Sequence, residues 1–443
     1  MNVVGAVIVC VWFLFVTATP LRAQGEHEKL LEEIEKEIAQ TVERPYSLSG
    51  FLELQPILFG LDRDAAFYRL NFFDRDDGDL LGQYNFRVRP EGSYRHGMFS
   101  LFARVDSRLR YDYQGWDEQT RLFEGFASVK PSPSLAVDLG KKVVKWGKGY
   151  AWNPVAFVDR PKNPEDPEEA LEGFYLATGN VIRSFAGPLK TLAFTPVILP
   201  VYEHVNDDFG AKQHVNAAAK LYFLLYDTDI DLLAFIGGSR TARYGVDFAK
   251  NLRTNLEIHG EWAYLTNIET RFVNAQGQLL SRTAEVMSYL VGLRYLTPQE
   301  TTVILEYYRN GPGFTPRQVE DFVTFVDTSD DTFQRTGNAR GLERARTLAE
   351  GPYGRPNPMR QYLYVRASQK EPFDILYFTP ALTSIVNLTD GSFNVIPELV
   401  YSPVTNVEVR LRGVGLFGGP GTEYGERQND FRLELRVRYF WGG

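Results

Sequence analysis

Ten arginines stand at alternating positions in short stretches near the two ends of the chain: Arg87 and Arg89, then Arg104, Arg108 and Arg110, then Arg410 and Arg412, and finally Arg432, Arg436 and Arg438. Apolar residues fill most of the places between. In FRLELRVRYFW (431–441), Phe431, Leu433, Leu435, Val437, Tyr439 and Trp441 alternate with Arg432, Glu434, Arg436 and Arg438. A strand sends successive side chains to opposite faces, so each stretch carries guanidiniums on one face and an apolar column on the other. Rows of arginine that line a water-filled passage favour anions. On the same faces stand only five acids, Glu53, Glu91, Asp106, Glu408 and Glu434, which could neutralise part of the row in cross-strand ion pairs. A second group, Glu257, Glu261 and Glu306, has few bases near it in the sequence.

Catalytic chemistry has little support. The five histidines, His27, His96, His204, His214 and His259, lack a metal-ligand spacing such as H-E-x-x-H. His96 and Ser100 are close in sequence, but a turn containing Gly97 accounts for them. There is no G-x-S-x-G elbow or phosphate loop. No cofactor is implied, and a hydrolase is the weakest of the alternatives.

The elements that must position the arginines follow from composition and pattern. Residues 3–16 form an apolar run that ends in Pro20 and a small-residue stop at Ala23, the layout of a secretory signal. About 14 apolar residues fall short of the roughly 20 that span a bilayer as a helix. The single cysteine, Cys10, falls inside this segment, so the exported chain is expected to have neither disulfides nor thiol chemistry. A net charge of −8 disfavours a nucleic-acid binder. Residues 24–45 carry Leu30, Leu31, Ile34, Ile38 and Val42 at helical spacing and predict a short amphipathic helix, either solvated, or serving self-association or docking of a periplasmic partner, or plugging the lumen.

From residue 46 onward period-2 stretches recur almost to the end. If the first strand leaves the N-terminal side, one set of connections is short, near 95, 131, 186, 226, 250, 296, 369 and 402. The alternate set is mostly long, near 60–80, 112–119, 147–170, 200–212, 267–283, 311–359 and 418–429, with short exceptions near 240 and 388. Sorting of loops by parity is the signature of an outer-membrane barrel, with periplasmic turns and extracellular loops. The count predicts an all-β fold: a transmembrane antiparallel β-barrel of about 18 strands (16–18), closed by FRLELRVRYFW.

The signal, the alternating strands and the aromatic-rich last strand resemble porin-like outer-membrane proteins of Gram-negative bacteria, in particular alginate-export and other substrate-specific porins. GKKVVKWGKGYAWNP (140–154) is also similar to porin-like families in which a strand ending V-V-x-W-G precedes an aromatic-Asn-Pro loop. The final Gly442-Gly443 departs from barrels that end on the aromatic. The resemblance implies an outer-membrane channel embedded in lipid. With the arginine rows it leads us to expect passive passage or export of small or oligomeric anionic, or polyhydroxylated, solutes. The ten arginines and Glu257, Glu261 and Glu306 are then pore-lining. A plugged, non-conducting barrel that docks partners in an export system is the alternative.

Two loops could shape the lumen. The segment 146–169, rich in Pro, Gly and aromatics, either folds inward or covers the rim. Within 311–359, Thr315 reads as an N-cap with Pro316 at the first helical position and Gln318 three residues on. Val319, Phe322, Val323 and Val326 then share a face, and a second helix is expected near 341–349.

Overall fold

The computed structural model describes residues 45–75, 78–165 and 171–442. The expected signal (1–23) and, apart from Pro45, the expected amphipathic helix (24–45) lie outside the described residues. The rest forms one antiparallel sheet of 18 strands whose last strand pairs with its first, a closed barrel.

The strands, in chain order, are β1 (Tyr46–Leu61), β2 (Leu80–His96), β3 (Phe99–Asp112), β4 (Gly115–Ser132), β5 (Leu135–Lys142), β6 (Phe174–Ser184), β7 (Leu189–Val201), β8 (His214–Leu225) and β9 (Thr228–Ile236). They continue with β10 (Arg243–Arg253), β11 (Leu256–Val273), β12 (Leu279–Leu296), β13 (Thr301–Arg309), β14 (Gln361–Gln369), β15 (Phe378–Asn387), β16 (Phe393–Val404), β17 (Val407–Phe417) and β18 (Asn429–Gly442). Closure sets Arg438 opposite Glu53 and Tyr439 opposite Leu52, so the charged rows of β17 and β18 continue into those of β1 to β3.

Alternation decides the two faces. Leu52, Leu101 and Leu433 are about half exposed on the outside, whereas Glu53, Arg87 and Asp106 are under a tenth exposed within. An apolar exterior around a charged interior inverts the arrangement of a soluble protein. Closure pairs the strand edges with one another. Together these features make this a barrel that spans a membrane with its strands.

Connections at one end are short, and both described chain ends lie there. The opposite end carries the long segments 62–79, 143–173, 310–360 and 418–428. Three connections differ from expectation. Segments near 112–119 and 267–283 are tight hairpins, because β3, β4, β11 and β12 run on beyond the apolar belt, and a strand with no buried face loses its alternation. At the short-turn end, the link between β14 and β15 takes residues 370–377 and a single 3-10 turn.

Among the described residues three α-helices sit at the long-loop end: α1 (Ala66–Phe72), α2 (Pro316–Thr336) and α3 (Arg340–Leu348). Thr315 caps α2 as its sequence indicates, its hydroxyl accepting from Gln318 N while the Gln318 side chain accepts from Thr315 N at 2.9 Å. Such a cap contributes about 1 kcal/mol. The helix stops at Gly337, whose φ of 72° is left-handed and suits glycine. Val319, Phe322, Val323 and Val326 are buried, and Tyr353 stacks between Phe322 and Phe314 with ring centroids 4.2 and 4.3 Å away.

Candidate functional site

The segment between β5 and β6 does not cover the rim; it crosses the interior. Its backbone dictates this. WGKGYAWNP is rich in glycine and turns sharply, which exposes a run of N–H groups that need acceptors once buried. Three carboxylates supply them. Asp159 folds the segment on itself, accepting from Val144 N and Trp146 N, each at 2.8 Å. Glu261 on β11 accepts from Lys148 N and Gly149 N, both at 2.6 Å, and from Val155 N at 3.2 Å. Glu306 on β13 accepts from Tyr150 N, from Ala151 N at 2.8 Å, and from His259 Nε2 at 2.8 Å.

Glycine is required where the chain passes the carboxylate. Gly147 has a φ of 99°, and a Cβ there would meet Glu261 Oε1 at 2.8 Å; a Cβ on Gly149 would meet the Trp152 carbonyl at 2.2 Å. Lys148 adds an ion pair to Asp231 on β9 at 3.0 Å.

These contacts correct the pore-lining assignment of Glu261 and Glu306. Both are buried under the inward segment, with their oxygens occupied by its backbone. Glu257 is partly open and accepts from the Tyr150 hydroxyl at 3.1 Å. Sequence reasoning missed Asp159 and Asp231, since neither falls on a patterned row.

Apolar side chains then fill one side of the barrel. Trp146, Val155, Phe157 and Val158 pack against Leu176, Leu199, Leu233, Phe235 and Leu265, which point inward from β6, β7, β9 and β11. Trp152 packs instead with the helical cap and with Leu290, Tyr362 and Ile385. A signal for this was present: LAFTPVILPV of β7 and DLLAFI of β9 are apolar on both faces, so their inner faces need a cover.

The segment leaves that core and reaches the opposite wall at Glu165. The Glu165 carboxylate accepts from Asn394 Nδ2 at 3.1 Å and stands 3.9 Å from Arg432, while its carbonyl accepts from Arg412 Nη1 at 2.7 Å. Between Glu165 and the wall lies a cavity of about 310 Å³ lined by seven arginines (Arg87, Arg108, Arg110, Arg410, Arg412, Arg432 and Arg436) against three glutamates, Glu53, Glu165 and Glu434.

The ten arginines therefore do meet along one wall, but not as a bare positive surface. Arg87 and Arg89 both hold Asp106, at 2.7 and 2.8 Å. Arg104 lies between Glu91 at 2.9 Å and Glu124 at 2.8 Å. Arg110 reaches Asp112 and Asp117. Arg410 stands near Glu398 and Glu408, Arg412 and Arg432 near Glu434, and Arg436 and Arg438 near Glu53. Arg108 alone of the ten has no carboxylate within 4 Å among the described residues. The excess of ten arginines over five acids read from the sequence is thus offset, because Glu124 from β4, Glu398 from β16, Glu165 from the inward segment, and Asp112 and Asp117 at the β3–β4 hairpin join the wall.

His259 is fully buried against Glu306 and Tyr150, and His96 lies in the exposed β2–β3 turn.

No family model and no curated protein matches the chain. Solved structures do. Acinetobacter baumannii OccAB1 is similar over 90% of this chain and 97% of its own, at 10% identity and a TM-score of 0.52. Pseudomonas aeruginosa OpdL matches over 90% and 99% at 10% identity and 0.49. Pseudomonas aeruginosa OccK11 matches over 89% and 96% at 12% identity and 0.47. The likeness is one of fold: a porin-like barrel.

Proposed function

We propose that this porin-like barrel is a channel of the Gram-negative outer membrane that passes anionic solutes along its arginine wall. On this reading the chain is exported, both ends of the barrel face the periplasm, and the helical cap faces outward. The apolar fill of β6 to β15 leaves the polar side of the lumen for passage.

One observation carries the reading. Three cavities of about 350, 170 and 310 Å³ adjoin one another and all include Arg432 in their lining. They lead from Arg346 and Arg427 beneath the cap, past Glu165, to the arginine-lined space at mid-barrel. Seven arginines and three glutamates line the mid-barrel space, so the groups an anion meets there are mostly guanidiniums, in a site partly shielded from bulk water. Solute size is set by Asn163 and Glu165, which stand across from the wall.

The depth of the apolar fill favours a second reading, a plugged barrel that docks partners. Conductance of single molecules in a planar bilayer separates the two. A conducting protein should lose anion preference when Arg104, Arg108, Arg410 and Arg436 are all replaced by glutamine. The loss should be greater in 0.1 M than in 1 M salt, since the screening length falls from about 10 Å to about 3 Å. Unchanged selectivity in a conducting variant refutes the arginine wall as the selective element, and absence of current in the wild type favours the plugged barrel.

A further inference from the structure

On the other side of the inward segment from the arginine wall lies a larger cavity, about 650 Å³, bounded by that segment, the β9–β10 connection, β11 and the 310–360 segment. Its charge differs in kind from that of the wall. Arg240, Arg243, Arg355 and Lys162 all line it, and among the described residues none has a carboxylate within 4 Å. The two acids in its lining are already engaged: Asp159 by the backbone of 144 and 146, and Glu269 by Arg271 at 2.9 Å.

The guanidiniums are held ready without being neutralised. Arg240 lies over the Phe209 ring, 3.7 Å from its centroid, and donates Nε to the Phe209 carbonyl. Arg243 Nε is buried with no hydrogen-bond partner, an unsatisfied donor in the free protein. Arg160 nearby is occupied by Asp208 at 2.6 Å. Burial first, and then the charges of Arg243, Arg160 and Arg355 against that of Asp208, push Arg240 down to about 9, the behaviour of cations crowded without enough counter-charge. Beside them Trp152 stacks on Tyr308, centroids 5.0 Å apart and planes 20° from parallel.

We propose that this chamber binds small organic dianions, whose two negative charges meet Arg240, Arg243 and Arg355 while the body of the solute lies against Trp152 and Tyr308. The proposal rests on the channel reading and refines its substrate class. Each guanidinium fork matches one oxyanion group, so three forks around one space suit a doubly charged solute better than a single carboxylate. A volume of this size accommodates a small molecule and excludes a polymer in folded form. Dicarboxylates and phosphate monoesters share this chemistry.

Titration calorimetry on the full chain in detergent distinguishes them, with succinate, glucose 6-phosphate, acetate and glucose as probes. Binding of at least one dianion should be about tenfold or more tighter than that of acetate, with glucose inert, and the dianion that binds identifies the group. R240Q/R243Q/R355Q should weaken it by about tenfold or more for each fork engaged. Arg355 is exposed with no described side-chain partner, so R355E tests the same point should the triple variant fail to fold, and it should also weaken binding at least tenfold. The proposal is overturned if acetate binds as well as both dianions, if neither dianion binds, or if R355E and a folded triple variant bind as the wild type does. Calorimetry needs no current: binding in a protein that does not conduct refutes only the channel reading, and conduction without dianion binding refutes only this one.

Discussion

Replacement of Glu261 by alanine removes the acceptor on which the inward segment turns. Three N–H groups, of Lys148, Gly149 and Val155, lose their partner together, and those of Gly149 and Val155 are buried. A buried donor left unsatisfied costs about 1 to 3 kcal/mol, so the two buried ones amount to roughly 2 to 6 kcal/mol. The Glu306 and Asp159 contacts and the packing of Trp146 and Phe157 remain, which confines the damage to the stretch around 147–155 and leaves the barrel folded. In planar bilayers Glu261→Ala should show larger and noisier single-channel currents than the wild type, and trypsin should cut the segment at Lys148 or Lys162 in folded, heat-resistant barrels. Glu261→Gln retains one oxygen but turns an NH₂ group toward a backbone N–H, so its effect should fall between the two. Wild-type current and wild-type protease resistance in Glu261→Ala would show that the carboxylate does not anchor the segment.

Other expectations follow from the two faces, the two ends and one buried acid. Leu435→Arg places a charge on the lipid face and should cost on the order of 2 to 4 kcal/mol in refolding experiments, more than Arg436→Leu, whose side chain stands inside near Glu53; equal folding yields would reverse the faces. An epitope inserted at Asp330 in α2 should be reached by antibody on intact cells, and one at Thr297 only after permeabilisation; labelling of Thr297 on sealed cells overturns the topology. Glu423, in the segment between β17 and β18, is buried and pushed up to about 7, with Arg427 and the Tyr362 hydroxyl only partly offsetting burial. Since its folded value lies above the usual carboxyl range near 4.5, the native loop binds the extra proton, and docking weakens as pH rises from about 4.5 through 7, by roughly 3 kcal/mol at most. A spin label at Gly419→Cys, where a side chain meets no neighbour, should be more mobile at pH 8 than at pH 5.5. Glu423→Gln should abolish the difference, and identical wild-type spectra at both pH values contradict the assignment.

Local pattern determined a great deal here. Alternation in FRLELRVRYFW and its counterparts set which side chains face lipid and which face the lumen, because the period of a strand is two whatever surrounds it. Parity of the connections ordered the two ends, and Thr315, Pro316 and Gln318 marked the start of α2 by capping chemistry that acts within four residues. Tertiary structure decided the rest. Glu261 and Glu306 had the same local signature as the arginines, an inward charge on an alternating strand, and only the passage of WGKGYAWNP across the barrel made them anchors. Arg104, Arg410 and Arg432 acquired Glu124, Glu398 and Glu165 from elements distant in sequence, and the unneutralised Arg240 and Arg243 came to face a chamber that no periodicity marks. The reason is physical: the face of a residue is fixed by the backbone that carries it, whereas its partner across a lumen is fixed by where remote segments pack, which depends on barrel closure and on the apolar inner faces that the loops must cover.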